Sequence, residues 1–592
     1  MHSQQRVRHT ARLLLGIASA CLLVVGLPAN AGPATDQALT VDLSSTTGPA
    51  TGVGSGFLYG LDQDGSGPAD SLLAPLNPTS GRGGGARLPG GGWIGDGMTA
   101  GSGYQARITS ALDQARRLTT GSYHASYDLL VSDLFGADTT QPSNTVYPCT
   151  NGDCGNWISF IDRVVADVEA AGLTVNFDIW NEPDGAAFWG PGMNTTQYFQ
   201  MWDSAVNEIR RLDPGATIVG PSLSGWQYTP LGTFLDHVKA ANTVPNILNW
   251  HFSGDPMADA QTANSMLSAR GISGVRLSIN EYLFADNQNA GYEAWYLGQL
   301  AKAGYTNADH AIWTDCCVAG TLDSTLVPDS GGNLQPTGQW WVYRDYAQVT
   351  GQLVAVNNNG GSTDAVAAED PSADRATVLL GDSAGNTGSV SLTVNGLSSR
   401  PWLAGPNGIA VTVQRIPDQN PLSTPITVTS EVVAGSSSSV QVPIDWQAAN
   451  DAYFVTLTPA TSSSVIVDGA TTSGTDYFQY GANWGQTDGV SDMYDGTANW
   501  SYVPGSVAQL HFVGSQVALH AVRDVDQGQC TLSVDGATPV TVDDYAASRN
   551  ASGVVWTSPA LASGSHTLTI TVGGKDAASS GNNIAIDRAD IS

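Results

Sequence analysis

Two glutamates in this chain have the side-chain type and the setting needed for chemistry. The stretch Asn176-Phe177-Asp178-Ile179-Trp180-Asn181-Glu182-Pro183-Asp184 reads as a buried strand running out into a Trp-Asn-Glu-Pro turn. Such a turn presents a carboxyl and an amide side by side at the strand's C-terminal end. Cleavage of a glycosidic bond with retention needs a carboxylic acid near the leaving oxygen, and a neighbouring amide can bond the sugar 2-hydroxyl. Glu182 is therefore expected as acid/base and Asn181 as its substrate-binding partner. The same mechanism needs a second carboxylate, about 5 Å away, as nucleophile. Glu281, in Leu277-Ser278-Ile279-Asn280-Glu281-Tyr282, is the candidate. The bland alternative for either residue is a solvated loop carboxylate, against which the apolar strand before each one speaks.

The elements that must bring the two together are legible as alternation. Short apolar runs at 53–59, 86–89, 127–132, 175–180, 217–220, 248–252, 276–280 and 310–313 are separated by stretches with helical spacing. Ile158, Ile161, Val164, Val165 and Val168 form one such stripe, and Leu231, Phe234, Leu235 and Val238 another. Eight strands with intervening helices predict an α/β fold, a (β/α)8 TIM barrel over residues 51–352, whose reactive residues sit at the C-terminal strand ends. Glu182 would end the fourth strand and Glu281 the seventh, which face each other across the mouth.

Beyond the barrel the texture turns to alternating strands punctuated by Gly, Ser, Asn and Pro, which predicts a β-sandwich accessory domain over 353–460. Residues 32–50 form an N-terminal segment whose run 39–43 is expected to add a strand to that sandwich. A polar linker at 461–464 leads into a C-terminal β jelly-roll domain, 465–592, expected to be carbohydrate-binding-like. Tyr477, Tyr480, Trp484, Tyr494, Trp500 and Tyr502 cluster in its first third, where aromatic faces can stack on sugars.

The 592 residues carry a formal charge of −30 from only 13% charged side chains. That field repels phosphate backbones, so nucleic acid is not expected as a partner, whereas neutral polysaccharide or oligosaccharide is compatible. Arg6, Arg8 and Arg12, an apolar run at 13–27 and Ala29-Asn30-Ala31 read as a secretory signal peptide over 1–31. The expected protein is secreted and extracellular, with no membrane anchorage; its oligomeric state is not legible. Export makes disulfides the default for cysteine pairs. Cys149 and Cys154 flank a four-residue loop and are expected to bond, while Cys530 reads as a buried thiol. Scattered histidines and no ligand-like cysteine set imply neither metal nor cofactor.

The Trp-Asn-Glu-Pro end of strand four, the Asn-Glu-Tyr end of strand seven and the barrel between them resemble clan A glycoside hydrolases, most of all glycoside hydrolase family 39. The resemblance covers about residues 39–459. It implies a barrel with a β-sandwich, and enzymes acting on β-xylosides, α-L-iduronides or α-L-arabinofuranosides, with Glu182 as acid/base and Glu281 as nucleophile. Arg87 in Ala86-Arg87-Leu88-Pro89 resembles the clan's strand-two arginine, which holds the nucleophile ionised; the alternative is a surface ion pair. His251, ending strand six, matches a position where the clan often places a His or Tyr, and is otherwise a core histidine. Trp313, ending strand eight, resembles the clan's sugar-stacking tryptophan, or is core. Trp93, Phe188, Trp189 and Trp226 follow strands and line the cleft or pack loops.

The expected function is a secreted retaining exo-glycoside hydrolase for plant cell-wall pentosides. α-L-Arabinofuranosides come first, arabinogalactan side chains included, with release of a mono- or disaccharide; a β-xylosidase is the alternative. The alternative of another class is a non-catalytic carbohydrate-binding protein, which would have no reason to keep both glutamates. The preference for a furanoside rests on Cys316 and Cys317, directly after strand eight. A vicinal Cys316–Cys317 disulfide there would offer the terminal sugar a compact, polarizable surface. Separate bonds, one to Cys530, or two free thiols are the other possibilities.

Overall fold

The computed structural model describes residues 37–86, 102–136, 145–311, 320–386, 388–461, 464–562 and 564–592. Eight parallel strands close into a barrel: Gly56–Leu58, Ser80–Gly83, Asp128–Leu130, Asn176–Asp178, Thr217–Leu223, Ile247–Trp250, Arg276–Tyr282 and Asn307–His310. The expected α/β class and barrel are thus observed. The amphipathic stripes face the barrel as their spacing requires. Ile161, Val164, Val165 and Val168 of the helix Gly155–Ala171 are buried, as are Leu231, Phe234, Leu235 and Val238 of Tyr228–Ala241. In the first helix Trp157 and Phe160 share the buried face, whereas Ile158 is only half-buried.

Two strands depart from expectation. The eighth, Asn307–His310, begins three residues ahead of the expected run at 310–313. The second barrel strand is Ser80–Gly83, Ser-Gly-Arg-Gly in sequence, and not the run at 86–89. Glycine and serine have little intrinsic strand preference, so nothing in this tetrapeptide signals a strand. Its glycines are there for packing. A Cβ on Gly81 would come within 2.5 Å of Leu118 Cδ1 on the helix Ser102–Thr119, so the glycine gives that leucine its place against the strand.

The strand Gln37–Pro49 joins a nine-stranded sheet, pairing antiparallel with Gln352–Asn357 and parallel with Ser389–Asn395. The sheet wraps around its own core of Leu39, Val41, Val378, Leu380, Leu392, Val411, Val442 and Val455. Its outer face braces the barrel through the helix Ala290–Ala303. Gln299 Nε2 donates to Asp364 Oδ2 at 2.8 Å, and Lys302 pairs with the same carboxylate. A Cβ on Gly381 would meet the Trp295 backbone nitrogen at 2.2 Å, which shows how closely helix and sheet approach.

The C-terminal strands form two facing sheets over a separate core that includes Phe478, Leu510, Phe512, Leu519, Leu532, Leu568, Ile570 and Ile586. This is the two-sheet arrangement of a jelly roll. Among the described residues no helix is long and apolar enough to cross a membrane.

Candidate active site

Glu182 follows the fourth barrel strand in a left-handed backbone conformation, φ 42°. A non-glycine residue held there costs about 1–3 kcal/mol, and such strain persists only where the surroundings over-determine it. They do so here. The Glu182 amide donates to the Ser222 carbonyl at 2.8 Å, and the Glu182 carbonyl accepts from Gly185 at 2.9 Å. Two residues on, the Asp184 carboxylate takes the Ser224 amide at 2.9 Å, the Ser224 hydroxyl at 2.5 Å and the Gln227 side-chain amide, tying the turn to the end of the fifth strand.

Behind the turn lies an aromatic wedge. Trp180 and Trp189 meet edge to face at 4.9 Å, and Trp189 also packs on Tyr147 and Tyr198. Trp189 is fully buried, with its indole N–H donated to the Gly192 carbonyl at 3.1 Å. Its expected place as a substrate-binding residue is therefore corrected: it is core that supports the strand end carrying Glu182.

Glu281 ends the seventh strand, buried, opposite Glu182. Arg82 binds it, with Nη1 2.6 Å from Glu281 Oε1. The same guanidinium gives Nε to Asp178 Oδ2 at 2.8 Å and Nη2 to Asn181 Oδ1 at 2.9 Å. Arg82 is completely buried, so its charge must be compensated, and two carboxylates and an amide oxygen do so. The strand-two arginine paired with the nucleophile candidate is thus Arg82, and the assignment of that role to Arg87 is corrected. The reason is the register of the strand: Ser80–Gly83 is the barrel strand, and Arg87 itself lies outside the described residues. By holding the Asn181 oxygen, Arg82 leaves the Asn181 NH2 as the group that can meet a sugar hydroxyl.

A polar network extends from this arginine across the barrel. Ser222 donates to Asp178 Oδ1 at 2.5 Å, and Asn280 Nδ2 donates to Asp178 Oδ2 at 3.0 Å. Asn249 Nδ2 donates to Asn280 Oδ1 at 2.7 Å and its oxygen accepts the Ser222 amide at 2.8 Å. Below it, Asp128 accepts from Asn176 at 2.7 Å and Asn307 at 3.1 Å, and burial pushes its carboxyl up to about 6. Interior layers of such barrels are usually branched and apolar. Here the layer under the site is a hydrogen-bonded scaffold whose members fix one another's orientation.

His251 ends the sixth strand region and touches both glutamates. Its Nδ1 is 2.9 Å from Glu182 Oε1 and 3.6 Å from Glu281 Oε1. Complete burial, opposed by the Glu281 charge and aided by Arg82, drives the imidazole down to about 4, so the ring is neutral at physiological pH. Glu182 moves the other way. Burial first, then the Asp184 carboxylate, raise it to about 7 against the pull of Arg82. The like charge that helps Glu182 keep its proton is therefore Asp184, where simple pairing of the two opposed glutamates would have suggested Glu281. One carboxylate oxygen each of Glu182 and Glu281 and one ring nitrogen of His251 all lie within 4.8 Å of one another. Three such ligand atoms resemble half a metal site, but Glu281 already has its cation in Arg82.

Trp226 is half-buried and meets the buried Trp250 edge-on at 4.7 Å. Beside it an aromatic pair appears that the sequence did not single out. Phe252 stacks on Phe284 at 4.7 Å and 27°, with Phe284 50% exposed, on the same strand ends as His251 and Glu281. An apolar Phe followed by a turn after each strand was the available signal. Cys149 and Cys154 are disulfide-bonded at the start of the helix Gly155–Ala171, and Cys530 is a buried free thiol. Trp93, Trp313, Cys316 and Cys317 lie outside the described residues.

An eight-stranded parallel barrel with two carboxyls from opposed strand ends, one protonated by burial and one held by an arginine, is a barrel of the glycoside hydrolase type. Residues 160–268 match the family model Glycosyl hydrolases family 39. The chain is 26% identical over 428 residues to a 3-O-alpha-D-galactosyl-alpha-L-arabinofuranosidase of Bifidobacterium longum subsp. longum, across 62% of this chain and 36% of that protein. It is 24% identical over 391 residues to a 3-O-beta-L-arabinopyranosyl-alpha-L-arabinofuranosidase of Bifidobacterium pseudocatenulatum, across 58% of this chain and 38% of the other. The matches thus span little more than a third of these relatives. The solved structure of N2152 from Neocallimastix frontalis superposes with a TM-score of 0.60 at 26% identity, covering 72% of this chain and all of that one.

Proposed function

We propose that this chain is a secreted, retaining exo-glycoside hydrolase that removes α-L-arabinofuranosyl units, alone or as the reducing half of a disaccharide, from plant polysaccharide side chains. The observation that carries it is the approach of the Glu182 and Glu281 carboxyls to within 4.8 Å, close to the roughly 5–5.5 Å of retaining enzymes and well short of the spacing that admits a water between them. The arabinofuranosidase activities of the relatives support the furanoside, as does the adjacent cysteine pair Cys316 and Cys317 after the eighth strand. The basic, apolar and small-residue pattern of residues 1–31 supports export.

In the first step Glu281 attacks the anomeric carbon, the bond to the leaving oxygen breaks, and Glu182 gives that oxygen its proton. Arg82 holds Glu281 Oε1, which leaves Oε2 to form the glycosyl ester. Neutral His251 is hydrogen-bonded through Nδ1 to Glu182 Oε1, which leaves Glu182 Oε2 to meet the leaving oxygen. In the second step the Glu182 carboxylate takes a proton from water, whose oxygen displaces Glu281 from the anomeric carbon and restores both groups. The Asn181 amide, oriented by Arg82, binds the 2-hydroxyl, where the contact tightens as charge develops on the ring.

The test is azide rescue on aryl α-L-arabinofuranosides and aryl β-xylosides. Glu182→Ala is expected to keep turnover of activated aryl glycosides and to yield an azide of retained configuration; Glu281→Ala is expected to be inactive until azide yields the inverted product. Equal inactivity of Glu182→Ala on activated substrates, with and without azide, overturns the roles. Turnover of the β-xyloside alone overturns the furanoside.

A further inference from the structure

Of the six aromatic residues clustered in the C-terminal domain, four are occupied by packing. Tyr477 stacks on His511, Tyr480 donates to the Gly469 carbonyl and lies against Phe478 and Trp484, and Tyr494 takes the Arg588 guanidinium over its ring. Trp500 and Tyr502 differ. Their rings lie nearly parallel, 15° apart with centroids at 6.0 Å, and rim a cavity of about 620 Å³ together with Asp526, Gly581, Asn582 and Asn583.

Three separate segments converge here: the strand Thr497–Ser501, the connection after Val517–Arg523, and the turn leading into Ile584–Ile591. The Trp500 indole is fixed rather than loose. Its Nε1 donates to Thr487 at 3.0 Å, and a Cβ on Gly485 would touch its ring at 3.1 Å, so the absence of a side chain there seats the ring. Tyr502, 60% exposed, is unsupported by the core. A tyrosine so exposed, parallel to a seated tryptophan, extends one apolar ledge into solvent. Around the ledge stand hydrogen-bonding groups. Asn582 Nδ2 reaches the Tyr502 carbonyl at 3.3 Å, and Asp526 accepts from Gln527 at 3.0 Å.

We propose that this cavity is a second saccharide-binding site, which holds a neutral sugar ring of the polymer on the Trp500–Tyr502 ledge with its hydroxyls bonded to the Asp526 carboxylate and the Asn582 side-chain amide. The ligand class follows from the chemistry of the lining. A sugar is the small solute that offers an apolar C–H face to an aromatic ledge and hydroxyl donors along its edge at the same time. A hydrocarbon or aromatic ligand would cover the Asp526 and Asn582 polar groups at the rim without pairing them. Uronates and phosphates would meet Asp526 and a chain whose formal charge is −30. The site would tether the polymer and raise the local concentration of its side chains at the barrel without touching the reacting bond.

The choice of polymer rests on the proposed function, so binding and turnover are measured apart. In full-length protein carrying Glu281→Gln, so that the probe is not consumed, affinity electrophoresis through arabinan, arabinogalactan and arabinoxylan should retard the parent. Tyr502→Ala and Trp500→Ala should each weaken that retardation at least tenfold. With Glu281 intact, Tyr502→Ala should turn over an aryl arabinofuranoside at the parent rate. Tyr502 is too exposed for its loss to be a folding defect, which guards against misreading the Trp500 variant. Retardation unchanged in both variants, or absent for the parent in all three gels, overturns the site. Lost retardation in a protein that hydrolyses no arabinofuranoside leaves the site standing and overturns the barrel's proposed substrate instead.

Discussion

Arg82 Nη1 lies 2.6 Å from Glu281 Oε1, and the arginine is sealed from water while the glutamate is nearly so. The pair is one arm of a fork whose other arms reach Asp178 and Asn181, so Arg82 anchors one glutamate and orients the amide beside the other. Removing the cation strands two buried carboxylates. Breaking a buried pair in this way costs about 3–5 kcal/mol. Arg82→Met is therefore expected to lower the stability of the barrel by that amount in chemical denaturation. Arg82→Lys, which keeps the charge but cannot span three acceptors, should fold better yet lose at least a hundredfold in kcat. A lysine variant with parental kcat would show that the fork plays no part in turnover.

The proton on Glu182 should respond to Asp184. Glu182 is raised to about 7 by burial and then by the Asp184 carboxylate, so the acid is present below that pH and is lost as pH rises through it. Asp184→Asn deletes the repelling charge and keeps an oxygen for the Ser224 amide. Glu182 then ionises more readily, and the alkaline limb of the kcat/KM profile should move to lower pH on a substrate whose leaving group needs protonation. A limb that stays in place, or moves upward, would assign the perturbation to burial alone.

Stability should carry the same signature. In the folded chain Glu182 holds its proton to about 7, against an ordinary value of 4.5 when unfolded. The unfolded state therefore releases its proton first, and the native state is penalised progressively as pH rises from about 4.5 to 7. For this largely buried group the full penalty is about 3 kcal/mol at pH 8. Glu182→Gln, which cannot ionise, should match the parent in Tm at pH 4 and exceed it at pH 8. A Tm difference that is the same at both values would contradict the burial of an ionisable acid at this position.

How far the residues alone determine this protein can be read from the site itself. Glu182 and Glu281 were found from local chemistry, because each terminates an apolar strand and the eightfold alternation of strand and helix places strands four and seven opposite each other. The helical stripes did the same for the outer layer: periodicity is a property of neighbouring residues, and burial simply follows it. Arg82 could not be found this way. Its strand is Ser-Gly-Arg-Gly, which lacks every local mark of a strand, and it is one because parallel neighbours pair with it on both sides. Trp189 shows the converse: its composition suits a cleft, but the side chains around it, Tyr147, Trp180 and Tyr198, come from distant segments and enclose it. Charge states lie wholly on the tertiary side. That Glu182 keeps its proton while His251 sheds its own depends on burial and on charges brought from several strands, and both are properties of the closed barrel and of no single stretch of sequence.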